Sequence, residues 1–209
     1  MLVKSEIILK KAKKGKRAVG AFNFTTLEQL KAIVNACKSQ NMGCILATSE
    51  SAIKYMGIKN IVSMVKNEVE DLDLEFSLHL DHGKSFEICK LCIDNGYNSV
   101  MIDASSLPLE ENITLSKKVV EYAKNFDVSV EAELGKIQGV EDNISSIDSI
   151  FTDPNVALDF INKTGISSLA ISIGTSHGAY KFKGESKLDI ARLIKIDTLT
   201  NHFPLVLHG

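Results

Sequence analysis

The chain has 209 residues, with 24 Lys+Arg against 26 Asp+Glu for a formal net charge of −2, and 44% of it is hydrophobic. That composition is ordinary for a soluble globular chain and long enough to bury a sizeable core, with one domain spanning 1–209 as the expectation from length. It excludes a basic nucleic-acid footprint and a disordered chain, and its apolar runs fall far short of the roughly 18 residues that span a bilayer.

The start, MLVKSEIILKKAKKGK, places an apolar patch before basic residues, the reverse of a secretory signal. VGAFNF (19–24) predicts a first strand, and Thr25-Thr26 reads as the N-cap of a helix on Leu27, Leu30, Val34 and Cys37. Gly43 is expected to stop that helix before a strand at GCILATS (43–49). A helix on Ile58, Ile61, Val62 and Val65 leads to a strand at FSLHLDH (76–82). FEICKLCI is amphipathic at helical spacing, and Gly96 ends it before a strand at SVMIDA (99–104). Val119, Val120 and Ala123 mark a helix before VSVEAEL (128–134), and GKIQGVEDN then reads as a mobile loop. Asp153-Pro154 caps a helix on Val156, Phe160 and Ile161, ended by Gly165 before LAISIG (169–174). Leu188, Ala191 and Leu193-Ile194 predict the last helix, and PLVLHG (204–209) the seventh strand.

Strand and helix alternate throughout, which implies parallel strands with right-handed crossovers. A doubly wound open sheet and a (β/α)8 barrel both fit. No GxGxxG follows the first strand and no GxxxxGK[ST] occurs, which weakens the nucleotide-binding open sheet.

The four cysteines are Cys37, Cys44, Cys89 and Cys92. Cys89 and Cys92 form a CxxC inside a helical pattern, with no second CxxC and no nearby His to complete a zinc site. Reduced, core-packed thiols of a cytoplasmic protein are the expectation.

A buried parallel strand is apolar on both faces, yet each strand here ends polar. Asn23 ends the first, Ser49 and Glu50 the second, Asp81-His82 the third and Asp103 the fourth. Glu131 and Glu133 end the fifth, Thr175, Ser176 and His177 follow the sixth, and His208 ends the seventh. In a barrel these ends share one rim, where active sites lie. His82, His177 and His208 suit a catalytic zinc with three protein ligands and an open position, whereas any one of them alone reads as a loop or capping residue. His79 is either a neighbour's orienter or a satisfied core histidine, and His202 reads as loop surface. Glu141 reads either as a solvated glutamate or as a base carried by a closing loop. Gly178 and Gly209 follow His177 and His208 and suit either a close backbone approach to phosphate or a plain turn.

At these residues the chain resembles the class II, zinc-dependent fructose-bisphosphate aldolase family, including tagatose- and ketose-bisphosphate aldolases. The matching pieces are GAFNF (20–24), SES (49–51), HLDHG (79–83), VMIDASSLPLEENI (100–113), VEAELGKIQGVED (130–142), ISIGTSHGAYK (171–181) and PLVLHG (204–209). The resemblance implies a (β/α)8 barrel and zinc held by His82, His177 and His208. It implies Asp81 as the acid–base residue at the C4 hydroxyl and Glu141 as the loop residue moving a proton at the dihydroxyacetone-phosphate carbon. Asp103 and Glu133 match positions that touch a second or displaced divalent metal. Asn23, Ser49, Gly178, Gly209 and, more weakly, Lys181 match substrate contacts, with a monovalent cation (Na+ or K+) near the two glycines. Gln138 stands where many members have glycine.

The expected substrate is a sugar bisphosphate, cleaved to dihydroxyacetone phosphate and glyceraldehyde 3-phosphate. Fructose against tagatose stays open, as do a metal-dependent barrel hydrolase and an inactive fragment. A homo-oligomer, dimer or tetramer, is expected of the full-length form, with no membrane or nucleic-acid partner. Because about 250 residues are typical of the barrel, 209 residues and seven strands lead us to expect a C-terminally truncated aldolase of impaired activity.

Overall fold

In a computed structural model, residues 1–135, 151–175 and 187–209 are described in full and residues 138–141, 144–146 and 176–177 by their backbone. In chain order the elements are α1 (Ser5–Lys14), β1 (Ala21–Asn23), α2 (Leu27–Gln40), β2 (Ile45–Thr48), α3 (Glu50–Met56) and α4 (Ile58–Val69). Next come β3 (Ser77–Gly83), α5 (Phe86–Asp94), β4 (Ser99–Ile102), α6 (Leu109–Ala123), a 3-10 turn (Lys124–Phe126) and β5 (Ser129–Leu134). The chain continues through β6 (Gln138–Glu141), β7 (Ile144–Ser146), α7 (Pro154–Thr164), β8 (Ser168–Ile171), β9 (Ser176–His177), α8 (Ile190–Leu199) and β10 (Leu205–Val206).

All seven predicted strands are present as β1, β2, β3, β4, β5, β8 and β10, each shorter than its apolar run except β3, which matches the length of its run and lies one residue later. The fold class is α/β of the (β/α)8 barrel type, with seven parallel barrel strands among the described residues. Several elements have no counterpart in the sequence reading. In α1 only Ser5, Ile8 and Ala12 are buried, a stripe too narrow to stand out among its lysines. The segment read as a mobile loop instead contains β6, which pairs antiparallel with β7 and parallel with β9. β7 follows within a few residues but is only three residues long, and β9 lies more than thirty residues on, so local composition carries little signal of β6.

The chain forms two compact units, residues 1–102 with 118–130, and residues 103–117 with 131–209. In the first, β1 pairs with β2, β2 with β3 and β3 with β4, all parallel. Its core holds Phe24, Leu30, Leu46, Ile61, Phe76, Leu78, Leu80 and Tyr97, each almost wholly buried. The N-terminus of α1 is tied in by Ser5 Oγ, 2.8 Å from Ser99 Oγ, and by the Glu6 N–H, which donates to Ser129 Oγ at 3.2 Å. Thr26, Ser49 and Ser85 cap α2, α3 and α5 through their hydroxyls, as such residues do for otherwise unsatisfied N–H groups.

The expectation for Gly43 needs correcting. The left-handed residue that ends α2 is Asn41, at φ 50°. Gly43 serves a close approach, because a Cβ there would lie 1.7 Å from the Glu75 carbonyl oxygen.

In the second unit β8 pairs in parallel with both β5 and β10. Asp153 caps α7 with Pro154 at the first helical position, and Gly165 closes that helix in the left-handed conformation, as expected. Thr152 ties three segments together. Its Oγ1 donates to the Leu134 carbonyl and accepts from the Ser172 N–H at 2.9 Å, while its own carbonyl accepts from Arg192 Nη1 at 2.9 Å. The two ends of the excursion from 135 to 151 are thereby held to each other.

All four cysteines are buried free thiols. Burial raises the thiols of Cys44, Cys89 and Cys92, that of Cys89 to about 12. Because the thiolate is the reactive form, a water-soluble disulfide reagent at pH 8 is expected to label Cys89 and Cys92 only slowly in the native protein. All four thiols should react promptly after denaturation. Immediate native labelling of either CxxC cysteine would contradict core packing.

Candidate functional site

In a regular strand, adjacent side chains point to opposite faces. Asp81 and His82 are adjacent, yet His82 Nε2 lies 3.9 Å from Asp81 Oδ1. A β-bulge accounts for this. Leu80 pairs with Val100 and Gly83 with Ile102, so Asp81 and His82 together stand opposite the single residue Met101. Bulges of this kind redirect side chains and concentrate next to active sites.

His82 adopts φ 48°, a left-handed conformation uncommon for a residue with a side chain. Gly83 completes the turn, because a Cβ there would meet Met101 O at 2.8 Å and Leu80 Cδ2 at 2.7 Å. Both Asp81 and His82 are buried.

Asn23, at the end of β1, donates from Nδ2 to Asp81 Oδ2 at 2.7 Å. This bond orients the carboxylate. His79 lies two residues before Asp81 on the same face of β3, and its Nδ1 is 2.7 Å from Ser99 Oγ. Of the two readings of His79, the satisfied core histidine has its partner here. Ser49 caps α3 by accepting from the Ala52 N–H at 3.3 Å and lies 2.9 Å from Ser51 Oγ. His202 is exposed, with Nδ1 2.6 Å from Asp197 Oδ2, the surface position expected for it.

In the second unit Asp103 is buried just beyond β4, and its Oδ1 accepts from the N–H and the Oγ of Ser105 at 3.1 and 2.7 Å. Glu131 and Glu133 alternate along β5, and both are buried. Asn112 Nδ2, itself buried on α6, donates to the Glu133 carbonyl at 2.9 Å and fixes that end of β5. His208 follows β10 by two residues, and its Nε2 lies 2.7 Å from Glu131 Oε1. Ser168 Oγ donates to Glu131 Oε2 at 3.3 Å. The link between Glu131 and His208 is absent from the sequence reading. Its only local signal is the alternation of two glutamates in a buried strand.

His177 closes β9, with its backbone in register with Gly139 of β6, and Glu141 ends β6. The side chains of both lie outside the described residues, as do Gly178 and Lys181 altogether. Gly209 is exposed.

Buried imidazole and carboxylate donors of this kind suit a divalent transition ion, which takes N and O ligands. An imidazole backed by a carboxylate on its other nitrogen, as His208 is by Glu131, is the usual setting of a metal-ligating histidine.

A family model described as fructose-bisphosphate aldolase class-II matches residues 3–209. The fructose-bisphosphate aldolase of Helicobacter pylori is 51% identical over 212 residues, covering 100% of this chain and 69% of the relative. That of Geobacillus stearothermophilus is 47% identical over 211 residues, covering 100% of this chain and 72% of the relative. The crystal structure of the YdjI aldolase from Escherichia coli K12 superposes with a TM-score of 0.87 at 29% identity, covering 100% of this chain and 73% of that one.

Proposed function

Because the chain belongs to the class II fructose-bisphosphate aldolase family, we propose that it acts as a zinc-dependent lyase on a sugar bisphosphate. The reaction is the reversible cleavage of D-fructose 1,6-bisphosphate to dihydroxyacetone phosphate and D-glyceraldehyde 3-phosphate. The observation that carries this reading is the bulge that sets a buried carboxylate, Asp81, beside a buried imidazole, His82.

In this reading Asp81 takes the proton of the C4 hydroxyl as the C3–C4 bond breaks. A carboxylate already turned by Asn23 needs little rearrangement to do so. Glu141 delivers the proton to C3. Zinc, held by His82, His177 and His208, would polarise the ketose carbonyl as a Lewis acid and stabilise the negative charge that develops. Asp103 and Glu133 would serve a second or displaced divalent ion. Asn23 and Ser49 would also touch substrate, Gly178 and Gly209 would present backbone to the phosphate end and to a monovalent cation, and Lys181 would meet a phosphate. Buried free thiols suit the reducing cytoplasm, and no helix among the described residues is long and apolar enough to cross a membrane. A homo-oligomer, dimer or tetramer, belongs to the same reading.

The test is cleavage of fructose 1,6-bisphosphate, with tagatose 1,6-bisphosphate in parallel. Activity should vanish on thorough chelation and return with zinc. Activity that survives chelation would remove the zinc mechanism, and a preference for the tagatose isomer would move the chain to the other branch of the family.

A further inference from the structure

The geometry assigns Glu131 as a positioning residue that presents His208 to zinc through its Nδ1 nitrogen. This rests on the reading of His208 as a zinc ligand and adds to it the residue that prepares the ligand. An ionised carboxylate only accepts hydrogen bonds. Glu131 Oε1 lies 2.7 Å from His208 Nε2, so Nε2 carries the proton and donates. In a neutral imidazole the other nitrogen then holds the lone pair, and Nδ1 is the atom that can ligate.

Glu131 is itself held. It is 4% exposed, its backbone is in register with Ser168 of the neighbouring strand, and its Oε2 accepts from Ser168 Oγ at 3.3 Å. A strand in the middle of a sheet therefore fixes the tautomer and rotation of a histidine that comes two residues after a two-residue strand. Carboxylate support of this kind also makes an imidazole a better donor to a metal, and its loss typically weakens metal binding by about 10–100-fold.

The test measures zinc affinity of the metal-free chain by competition with a chromophoric chelator, so it needs no turnover. Glu131→Ala is expected to weaken zinc by about 10–100-fold. Glu131→Gln keeps the shape and an accepting oxygen but loses the charge, and should fall between Glu131→Ala and the unaltered chain. It also guards against misfolding of the alanine variant, with unchanged far-ultraviolet dichroism as the check. His208→Ala should lose at least as much affinity as Glu131→Ala. Native affinity in both Glu131 variants, with His208→Ala weakened, would overturn the role of Glu131 and leave the ligand reading intact. Native affinity in His208→Ala would overturn the ligand reading and the role of Glu131 with it.

Discussion

Asp81→Asn is expected to slow sugar-bisphosphate cleavage by about 10²–10⁴-fold, the usual worth of a positioned acid–base group. The substitution keeps the volume of the side chain, and the new amide oxygen still accepts from Asn23 Nδ2, which lies 2.7 Å from the carboxylate now. The bulge at Asp81-His82 depends on the backbone of His82 and on the closeness of Gly83 to Met101 rather than on the charge. The variant should therefore fold and bind zinc as the unaltered chain does, with loss confined to the turnover rate. Steady-state kinetics with a parallel zinc titration makes the check. A variant within twofold of the unaltered rate would remove Asp81 from the chemistry.

Gly43→Ala is expected to cost about 3 kcal/mol, the upper end of what overpacking does. The added Cβ would sit 1.7 Å from the Glu75 carbonyl oxygen, 2.6 Å from its carbon and 3.1 Å from its nitrogen. These are backbone atoms, so no side-chain rotation relieves the clash. Relief requires moving the chain just ahead of β2 away from the chain just ahead of β3. The Ser77 N–H donates to the Cys44 carbonyl at 3.2 Å at that point, and Ile45 pairs with Ser77. The start of the β2–β3 ladder would open. Gly15→Ala is the control, since a Cβ there makes only ordinary contacts of 3.4 Å and beyond, and surface changes of that type stay within about 0.5 kcal/mol. Urea midpoints of the two variants make the comparison, and equal midpoints would contradict the argument.

Much of this was legible along the chain. Seven apolar runs became seven strands, the Thr26 and Asp153 caps stand where the pattern put them, and Pro154 opens its helix. These are local effects: a hydroxyl or carboxylate caps N–H groups two or three residues away, and apolar periodicity needs only neighbours in sequence. The family, too, was carried by short motifs in order. Asp81, His82 and His208 could be singled out because a polar residue late in a buried strand is costly unless something uses it.

Other features depend on partners far away in sequence. A reader of HLDHG expects His82 and Asp81 on opposite faces; the bulge decides otherwise, and it exists only because two residues of β3 stand opposite the single Met101 of β4. Nothing near Gly43 announces Glu75, which is why the glycine reads as a helix stop when Asn41 is the stop. Glu131 and His208 are 77 positions apart, and only strand pairing through β8 brings the carboxylate to the ring. The sequence alone therefore determined the seven barrel strands, the caps at Thr26 and Asp153, and the family. The tertiary structure decided which way those residues face and which groups hold them, because parallel pairing joins segments that local propensity cannot connect.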